Sequence, residues 1–227
     1  MAIKRVVRKK YPHAVIATDV VILTVHEEQL RVLLIKMKKK PYIGMWAVPG
    51  GLVQGSESVD AAAKRHLIEK TGVKDIFLEQ LYTFGRVNRD PFGRVVSVAY
   101  FSLIPNANLQ LKTTKDYEDV AWFSVKKLPK LAYDHDEIIH NAINRLKAKL
   151  GYSTISYSLL PKEFTLSQLQ HIYEVILSTS LDKRNFRKKI LSLGLVKKIG
   201  KKRIEGASRP AELYMFLKRF PSIADVL

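Results

Sequence analysis

The sequence contains no cysteine, so the protein has no disulfide, no thiolate metal site and no cysteine nucleophile. It also lacks any apolar run of the roughly 18 residues that would indicate a membrane span. The longest apolar run, residues 14–25, is interrupted by Asp19 and is predicted to be a buried strand. The N-terminus has no apolar signal-peptide core, and we therefore expect a cytoplasmic protein without a membrane segment.

Acidic residues are few, with 21 Asp and Glu against 39 Lys and Arg and a net charge of +18. Residues 151–227 hold 14 basic and 6 acidic side chains, whereas residues 1–150 hold 25 and 15. The C-terminal third is therefore the more basic per residue. Such an excess favours a polyanionic partner such as nucleic acid, although a lysine-rich surface can also serve solubility alone.

Residues 50–73, GGLVQGSESVDAAAKRHLIEKTGV, have few carboxylates at the positions where a metal site would need them. This stretch predicts a glycine-rich loop followed by an amphipathic helix, on which positions 66, 69 and 70 lie within about 100° of each other. Three carboxylates there would bind Mg²⁺ or Mn²⁺ against a substrate diphosphate. The chain has His66, Glu69 and Lys70 instead, with a summed charge near zero. We therefore predict no metal site and no metal-dependent hydrolysis.

Three remnants of such a catalytic motif persist, namely Glu57, Arg65 and Glu69. They are equally well interpreted as a structural ion-pair set, because Arg65 and Glu69 stand at i,i+4 on the helix. Glu79 and Glu118 are the alternative acids elsewhere in the chain.

A second group of acidic residues, Asp134-His135-Asp136-Glu137 with His140, has the composition of a metal cluster. Acidic residues at the start of a helix are already explained by capping and by the helix dipole. No metal is predicted there.

The hydrophobic pattern predicts a mixed α+β fold in two domains, residues 1–150 and 151–227, joined by a linker with some extended character over 152–161. A basic arm over residues 1–10 precedes the first domain. The strands and helices predicted for the first domain are a hairpin of 15–25 and 30–36, a helix from Ser56 or Ser58 to Lys70, strands 76–84, 94–104 and 119–124, and a helix opened by Asp134 and spanning 137–150.

The second domain has the outline of a winged helix-turn-helix. A helix over 166–177 is capped by Thr165, and a four-residue break separates it from a second helix over 182–193. A β-ribbon follows, with strands over 195–199 and 212–217 and a turn at 200–202.

The second of these helices carries basic residues on its exposed N-terminal half, where a recognition helix meets base edges. Arg pairs with guanine and Asn with adenine, while Lys more often holds phosphate. The alternative is a solvated basic face on an ordinary helix pair. The candidate DNA contacts are Lys183, Arg184, Asn185, Arg187 and Lys188 on this helix, Thr165 and Ser167 at the start of the preceding one, and Lys201, Lys202, Arg203 and Arg209 in the ribbon.

Residues 51–73 resemble the Nudix box. The matching positions are Gly51, Glu57, Arg65, Leu67, Glu69, Gly72 and Val73. The usual box has Glu directly after the Arg and a Glu-Glu pair later, where this sequence has His66 and Glu69-Lys70.

Together with the C-terminal segments 164–170, 181–189 and 209–214, the whole chain resembles the Nudix-related transcriptional regulators. The resemblance implies an α/β/α sandwich with a mixed sheet fused to a winged helix. It also implies a homodimer on a palindromic double-stranded operator, and a Nudix domain that senses ADP-ribose or a sugar such as arabinose.

Residues 85–94 resemble the stretch that lines the ligand pocket in ADP-ribose-type Nudix proteins. The candidate effector contacts are Arg86, Arg89, Arg94, Glu57 and Lys70; for the loop arginines the alternative is a solvated turn. The sequence thus predicts a regulator that needs no cofactor. The alternative is an active Nudix hydrolase that cleaves ADP-ribose with Mg²⁺ and uses its tail for dimerisation or targeting.

Overall fold

A computed structural model of the chain describes residues 13–71, 77–105, 111, 117–203 and 210–226. The side chains of Lys70 and Thr71 lie outside this description, as do Arg209 and the basic arm over residues 1–10.

One mixed sheet of seven strands forms the centre of the N-terminal part, with the order β3-β2-β1-β6-β5 and with β4 paired to β1 and β7 to β2. The pairing of β1 with β6 is parallel and the others are antiparallel. The elements are β1 Val15–His26, β2 Gln29–Met37, β3 Trp46–Ala47, β4 Gly50–Leu52, α1 Val59–Thr71, β5 Phe77–Phe84, β6 Val95–Leu103, β7 Tyr117–Ser124 and α2 His135–Tyr152.

The two helices cover opposite faces of this sheet because the side chains of β1 alternate. Val20 and Ile22 pack in a cluster with residues of α1, whereas Val21 and Leu23 pack in a cluster with residues of α2. The predicted α/β/α sandwich with a mixed sheet is thereby confirmed.

The predicted hairpin of β1 and β2 is confirmed, and its turn is tighter than the sequence suggested. Glu27 and Glu28 both have positive φ, 47° and 59°. This backbone twist matches that of the paired strands, so the ladder begins at once with His26 opposite Gln29.

The C-terminal part has the predicted winged-helix arrangement, in which three short strands in the order β8-β10-β9 accompany two helices. Thr165 forms the predicted helix cap as a capping box with Gln168. The elements are a 3₁₀ helix over Ile155–Leu159, β8 Phe164–Thr165, α3 Leu166–Leu177, α4 Lys183–Ser192, β9 Val196–Arg203 and β10 Ala211–Phe216.

Two details of the C-terminal prediction are wrong. The stretch predicted as a partly extended linker contains the 3₁₀ helix, because Ile155 and Leu159 are buried in the core. The predicted turn at 200–202 is part of β9, which stays paired with β10 as far as Arg203. Gly200, with φ of 74°, lies in a bulge where β9 has more residues than β10.

A single hydrophobic cluster joins the two parts of the chain, with contributions from β1, α2, the 3₁₀ helix and α3. Within the C-terminal part, Arg219 holds the segment after α2 in place by donating to the carbonyl oxygens of Tyr157 and Leu160 at 3.1 and 3.2 Å. The central sheet and the winged helix are therefore in direct contact. The division after residue 150, which falls in the last turn of α2, stays a prediction.

Candidate functional site

The box residues form an ion-pair set around Arg65, which lies in the middle of α1. Arg65 donates to Glu57 through Nε and Nη2, at 3.1 and 2.6 Å, and through Nη1 to Glu69 at 3.5 Å. These are the contacts that the structural interpretation of the three remnants predicts. Both carboxylates are occupied by the same guanidinium.

Glu57 gives this ion-pair set a measurable pH dependence. Its hydrogen bond from Arg65 lowers the pKa of the Glu57 carboxyl to about 2, below its usual 4.5. The stability contributed by the pair is therefore fully present above pH 4.5 and is lost as the pH falls through about 2.

We expect wild type to exceed Glu57→Gln in unfolding free energy at neutral pH, and the difference to shrink between pH 4.5 and 2. Denaturant unfolding of both proteins across this range measures it. A difference that stays constant down to pH 2 would contradict the assignment of the pair.

The position that would carry the first metal-binding carboxylate holds a buried imidazole. The ring of His66 lies against Gly51, where a Cβ would be 2.9 Å from Cε1. With Glu57 and Glu69 bonded to Arg65, the residues here do not fit a divalent metal ion. Within the described ranges no group of three His, Asp or Glu is arranged to hold a metal, and this includes the cluster around Asp134.

The two alternative acids have other partners. Glu79 accepts from Lys149 of α2 at 2.7 Å, and Glu118 accepts from Lys36 of β2 at 2.7 Å. Each carboxylate stabilises the packing of a strand.

A cavity of about 430 Å³ opens beside β1 on the side of the sheet that faces α2. Its walls are mostly apolar, and several aromatic rings contribute to them. Its polar floor holds a buried carboxylate, an arginine and a histidine. The lining includes Asp19, Arg89, Phe92, Arg94, Tyr117, Tyr133 and His135.

Arg89 is the centre of a buried network at the cavity floor, with a side chain only 3% exposed. It donates to Asp134 through Nε and Nη2, at 2.9 and 2.7 Å, and through Nη2 to Asp19 at 3.3 Å. Ser97 donates to the same Asp19 oxygen at 2.6 Å. The guanidinium is thus held by two carboxylates that come from β1 and from the start of α2.

His135 completes the floor in its neutral form. Its Nδ1 accepts the backbone N–H of Val48 at 3.0 Å, so that Nε2 carries the proton and faces Asp19 at 3.6 Å. Burial lowers the pKa of His135, which opposes its protonation despite the two nearby carboxylates.

The predicted effector arginines separate into two cavities. Arg94 lies on the wall of the first, where Nη1 donates to the carbonyl oxygens of Gly85 and Arg86 at 2.7 and 3.1 Å. Arg86 pairs with Glu137 in a second, strongly polar cavity of about 360 Å³. Arg89 lines both. Of the remaining candidates, Glu57 lines neither cavity, and the side chain of Lys70 lies outside the described residues.

Sequence reasoning missed the buried partners of Arg89. The capping role predicted for Asp134 is wrong, because its side chain makes no capping bond and binds Arg89 instead. Asp19 carried a usable signal, since a lone carboxylate inside an apolar strand requires a buried partner.

Tyr133, also missed, borders both cavities with φ of 55°. Burial, reinforced by the Asp90 carboxylate, raises the pKa of Tyr133 to about 12. The residue therefore presents a neutral hydroxyl and an aromatic face to both spaces.

The basic face of α4 is exposed, as the sequence predicts. Phe186 and Ile190 are buried against α3, and the ring of Phe186 lies 5.3 Å from that of Tyr173. The opposite face presents Lys183, Arg184, Asn185 and Lys188 to solvent.

The two contacts predicted at the start of α3 differ in exposure, since Ser167 is exposed and Thr165 is buried. Ser167 accepts a hydrogen bond from Nη2 of Arg187 at 3.0 Å, which joins α3 and α4 at this surface. Thr165 is buried, and its hydroxyl accepts from the backbone of Gln168 within the helix cap. Thr165 therefore positions α3 and does not share the exposed surface.

The ribbon of β9 and β10, called the wing below, carries lysines that are paired with acids. Lys201 lies 2.8 Å from Glu163. Lys198 and Lys202 lie 3.1 and 3.8 Å from the two carboxylate oxygens of Glu212. Arg203 is half-buried at the end of β9.

Comparison with known proteins assigns both parts of the chain. Residues 15–142 match the NUDIX domain and residues 156–216 match the NrtR DNA-binding winged helix domain. The ADPR responsive transcriptional repressor NtrR of Acinetobacter baylyi is 37% identical over 213 residues, which cover 92% of this chain and 84% of that protein.

Two solved structures of NrtR from Shewanella oneidensis are similar to this chain. The complex with a 27mer DNA is 35% identical, with a TM-score of 0.79 over 88% of this chain and 93% of that one. The NUDIX domain complexed with ADP ribose is also 35% identical, with a TM-score of 0.54 over 60% of this chain and 90% of that one.

None of the helices in the described ranges is long and apolar enough to cross a membrane. The similarity to the repressor covers most of the chain, including both the central sheet and the winged helix. The chain therefore belongs to the NrtR family of transcriptional regulators, in which a Nudix domain is joined to a DNA-binding winged helix.

Proposed function

We propose that this protein is a DNA-binding transcriptional regulator whose Nudix domain binds ADP-ribose as an effector and has given up catalysis. The observation that carries the proposal is that the Nudix box lacks free metal-binding carboxylates among the described residues. His66 fills one metal position, and Arg65 engages both remaining carboxylates, while the adjoining cavity is open. A site that lacks its metal ligands and keeps its cavity is suited to binding without turnover.

ADP-ribose is the effector that the site supports best. The first cavity offers aromatic and apolar walls for a base or a sugar, and the second offers polar groups and Arg86. A dinucleotide-like ligand has both kinds of surface, whereas a pentose has only hydroxyl groups. The related repressor is ADPR responsive and the related NUDIX domain is complexed with ADP ribose, which favours the same choice over arabinose.

Two elements run from the cavity to the winged helix and would carry the response. β1 lines the cavity at Ala17 and Asp19 and ends in the turn whose Glu28 lies 3.2 Å from His171 of α3. α2 begins at His135 in the cavity floor and packs against α3 further along. A shift of either element on binding would move α3 and the α4 that packs on it.

The regulator would act in the cytoplasm as a homodimer on a palindromic operator. Effector binding would change the spacing of the two α4 helices, and therefore the operator affinity. Typical coupling of this kind changes affinity by about 5- to 150-fold.

Electrophoretic mobility shifts with promoter fragments from the gene's own neighbourhood test the proposal. At one stated salt concentration, we expect a sequence-preferring shift whose midpoint changes with ADP-ribose and stays unchanged with arabinose. Random DNA of the same length is the control. If no fragment is preferred over random DNA, the protein is not a regulator of this kind.

We expect no release of AMP from ADP-ribose in the presence of Mg²⁺ beyond a control without protein. Chromatography of the nucleotide products, with and without chelator, measures it. Glu69→Gln is the matched variant, because it removes one box carboxylate and retains its size. Robust turnover that disappears in Glu69→Gln would instead establish the hydrolase alternative.

A further inference from the structure

We propose that Glu212 is an affinity-limiting residue of the wing, which lowers the attraction of this surface for DNA of any sequence. The inference rests on the proposed function and concerns the electrostatic part of binding that operator and random DNA share. Glu212 lies on β10 directly opposite Lys202 of β9.

The contacts of Glu212 engage its whole carboxylate. Oε2 lies 3.1 Å from Nζ of Lys198, and Oε1 lies 3.8 Å from Nζ of Lys202. The side chain of Glu212 is 30% exposed, whereas those of the two lysines are 55% and 61% exposed. One partly buried acid thus lies beside two more exposed cations at the solvent surface.

The charges of α4 are arranged differently. Lys183, Arg184 and Lys188 are exposed, and they make no ion pair with any residue in the described ranges. The only acid at the start of this helix, Asp182, accepts a backbone N–H from Asn185 as its cap. Lys183, Arg184 and Lys188 therefore keep their positive charge on the helix that would read bases. Lys189 of the same helix pairs with Asp225, and the wing has much of its own charge neutralised.

This difference acts on the part of binding that carries no sequence information. Phosphate contacts supply nearly all of the affinity for random DNA, and each contact adds about 0.9 to the salt dependence, the slope of log K against log salt. A carboxylate within 4 Å of two wing lysines opposes their contact with phosphate. It leaves the base contacts of α4 unchanged, so it weakens operator and random DNA binding by a similar factor.

The exposed ion pairs themselves contribute little to folding, because solvent screens them. Glu212→Gln keeps the size of the side chain, removes its charge and replaces one acceptor oxygen with an amide donor. The fold is therefore expected to survive, which circular dichroism and a thermal unfolding midpoint close to that of wild type would verify.

The test measures affinity for random DNA and for the preferred promoter fragment over a series of salt concentrations. We expect Glu212→Gln to bind random DNA several-fold more tightly, with a slope steeper by about 0.9 for each phosphate gained. Affinity for the promoter fragment should rise by a similar factor, so that the ratio of the two affinities stays close to that of wild type.

Asp225→Asn is the matched control. It removes the same unit charge from the C-terminal part of the chain, where Asp225 pairs at 2.9 Å with Lys189 of α4 and with no wing lysine in the described ranges. Equal effects of the two variants on random DNA would overturn the proposal in favour of net charge alone. Unchanged or weaker random DNA binding by Glu212→Gln would overturn it as well, the latter by showing that Glu212 positions the lysines for phosphate.

The random DNA measurements decide this proposal even if wild type prefers no promoter fragment. Absence of a promoter preference would reject the proposed regulator function, but the comparison of wild type with Glu212→Gln on random DNA would still be valid. Conversely, a random DNA affinity that is identical in wild type and Glu212→Gln would reject the wing proposal, while an operator preference in both proteins would leave the regulator standing.

Discussion

Replacing Arg89 with alanine is expected to lower the free energy of unfolding by about 3–5 kcal/mol, the usual effect of removing one partner from a buried ion pair. The loss is large because Asp19 and Asp134 would remain buried side by side without their shared cation. Urea denaturation followed by tryptophan fluorescence measures the change, and the slope of the transition should stay similar to that of wild type.

Arg86→Ala is the matched control, from the same loop and with the same chemistry. The side chain of Arg86 is 65% exposed, and its one ion pair among the described residues is with Glu137 at the surface, where such pairs contribute about 0–1 kcal/mol. Equal destabilisation by the two substitutions would show that the network around Arg89 does not support the fold.

ADP-ribose binding provides a second measurement on the same pair. If Arg89 acts by shaping the cavity floor, Arg89→Ala loses binding even at low temperature, where enough folded protein remains for calorimetry. Arg86→Ala keeps the first cavity intact and is expected to weaken binding only through the second cavity.

Sequence alone could not distinguish Arg86, Arg89 and Arg94, because all three belong to one polar, turn-rich loop. The partners that separate them are distant in the chain, since Asp19 lies 70 positions and Asp134 45 positions from Arg89. A local pattern contains no information about contacts of that range. Only the lone aspartate in an apolar strand pointed towards a buried cation.

Features with local causes were predictable. The amphipathic pattern of α3 and its capping box gave bounds that agree with the structure, since Thr165 and Gln168 satisfy each other within one turn. The prediction of a turn at Gly200 is wrong, because the residue adopts its positive φ in a bulge of β9. Whether Gly200 lies in a turn or in a bulge depends on the register of β9 against β10, which the local sequence does not contain.

The pairing of the wing lysines was likewise hidden from sequence. Lys201 and Lys202 are adjacent in the chain, yet they pair with Glu163 and Glu212 respectively. Composition therefore overstates how much of the +18 net charge is available to a nucleic acid at this surface.

On α4, Arg184→Ala is expected to weaken operator binding by about 1–3 kcal/mol while leaving random DNA nearly unaffected. Arg184 is exposed on the first turn of the helix, where side chains reach base edges. Arg187 is half-buried, and Ser167 holds its guanidinium between the two helices. Arg187→Ala should therefore weaken both DNAs alike and reduce the salt slope by about 1, as expected for a phosphate contact.

Arg184→Lys separates charge from base recognition, because lysine keeps the positive charge and loses the planar fork that binds guanine through two hydrogen bonds. We expect this variant to resemble Arg184→Ala on the operator and wild type on random DNA. Titrations at several salt concentrations, with promoter variants changed one base pair at a time, make the comparison. If Arg184→Lys instead binds the operator as tightly as wild type, Arg184 holds phosphate, and the base-reading residue of α4 must be sought at Asn185 or Lys188.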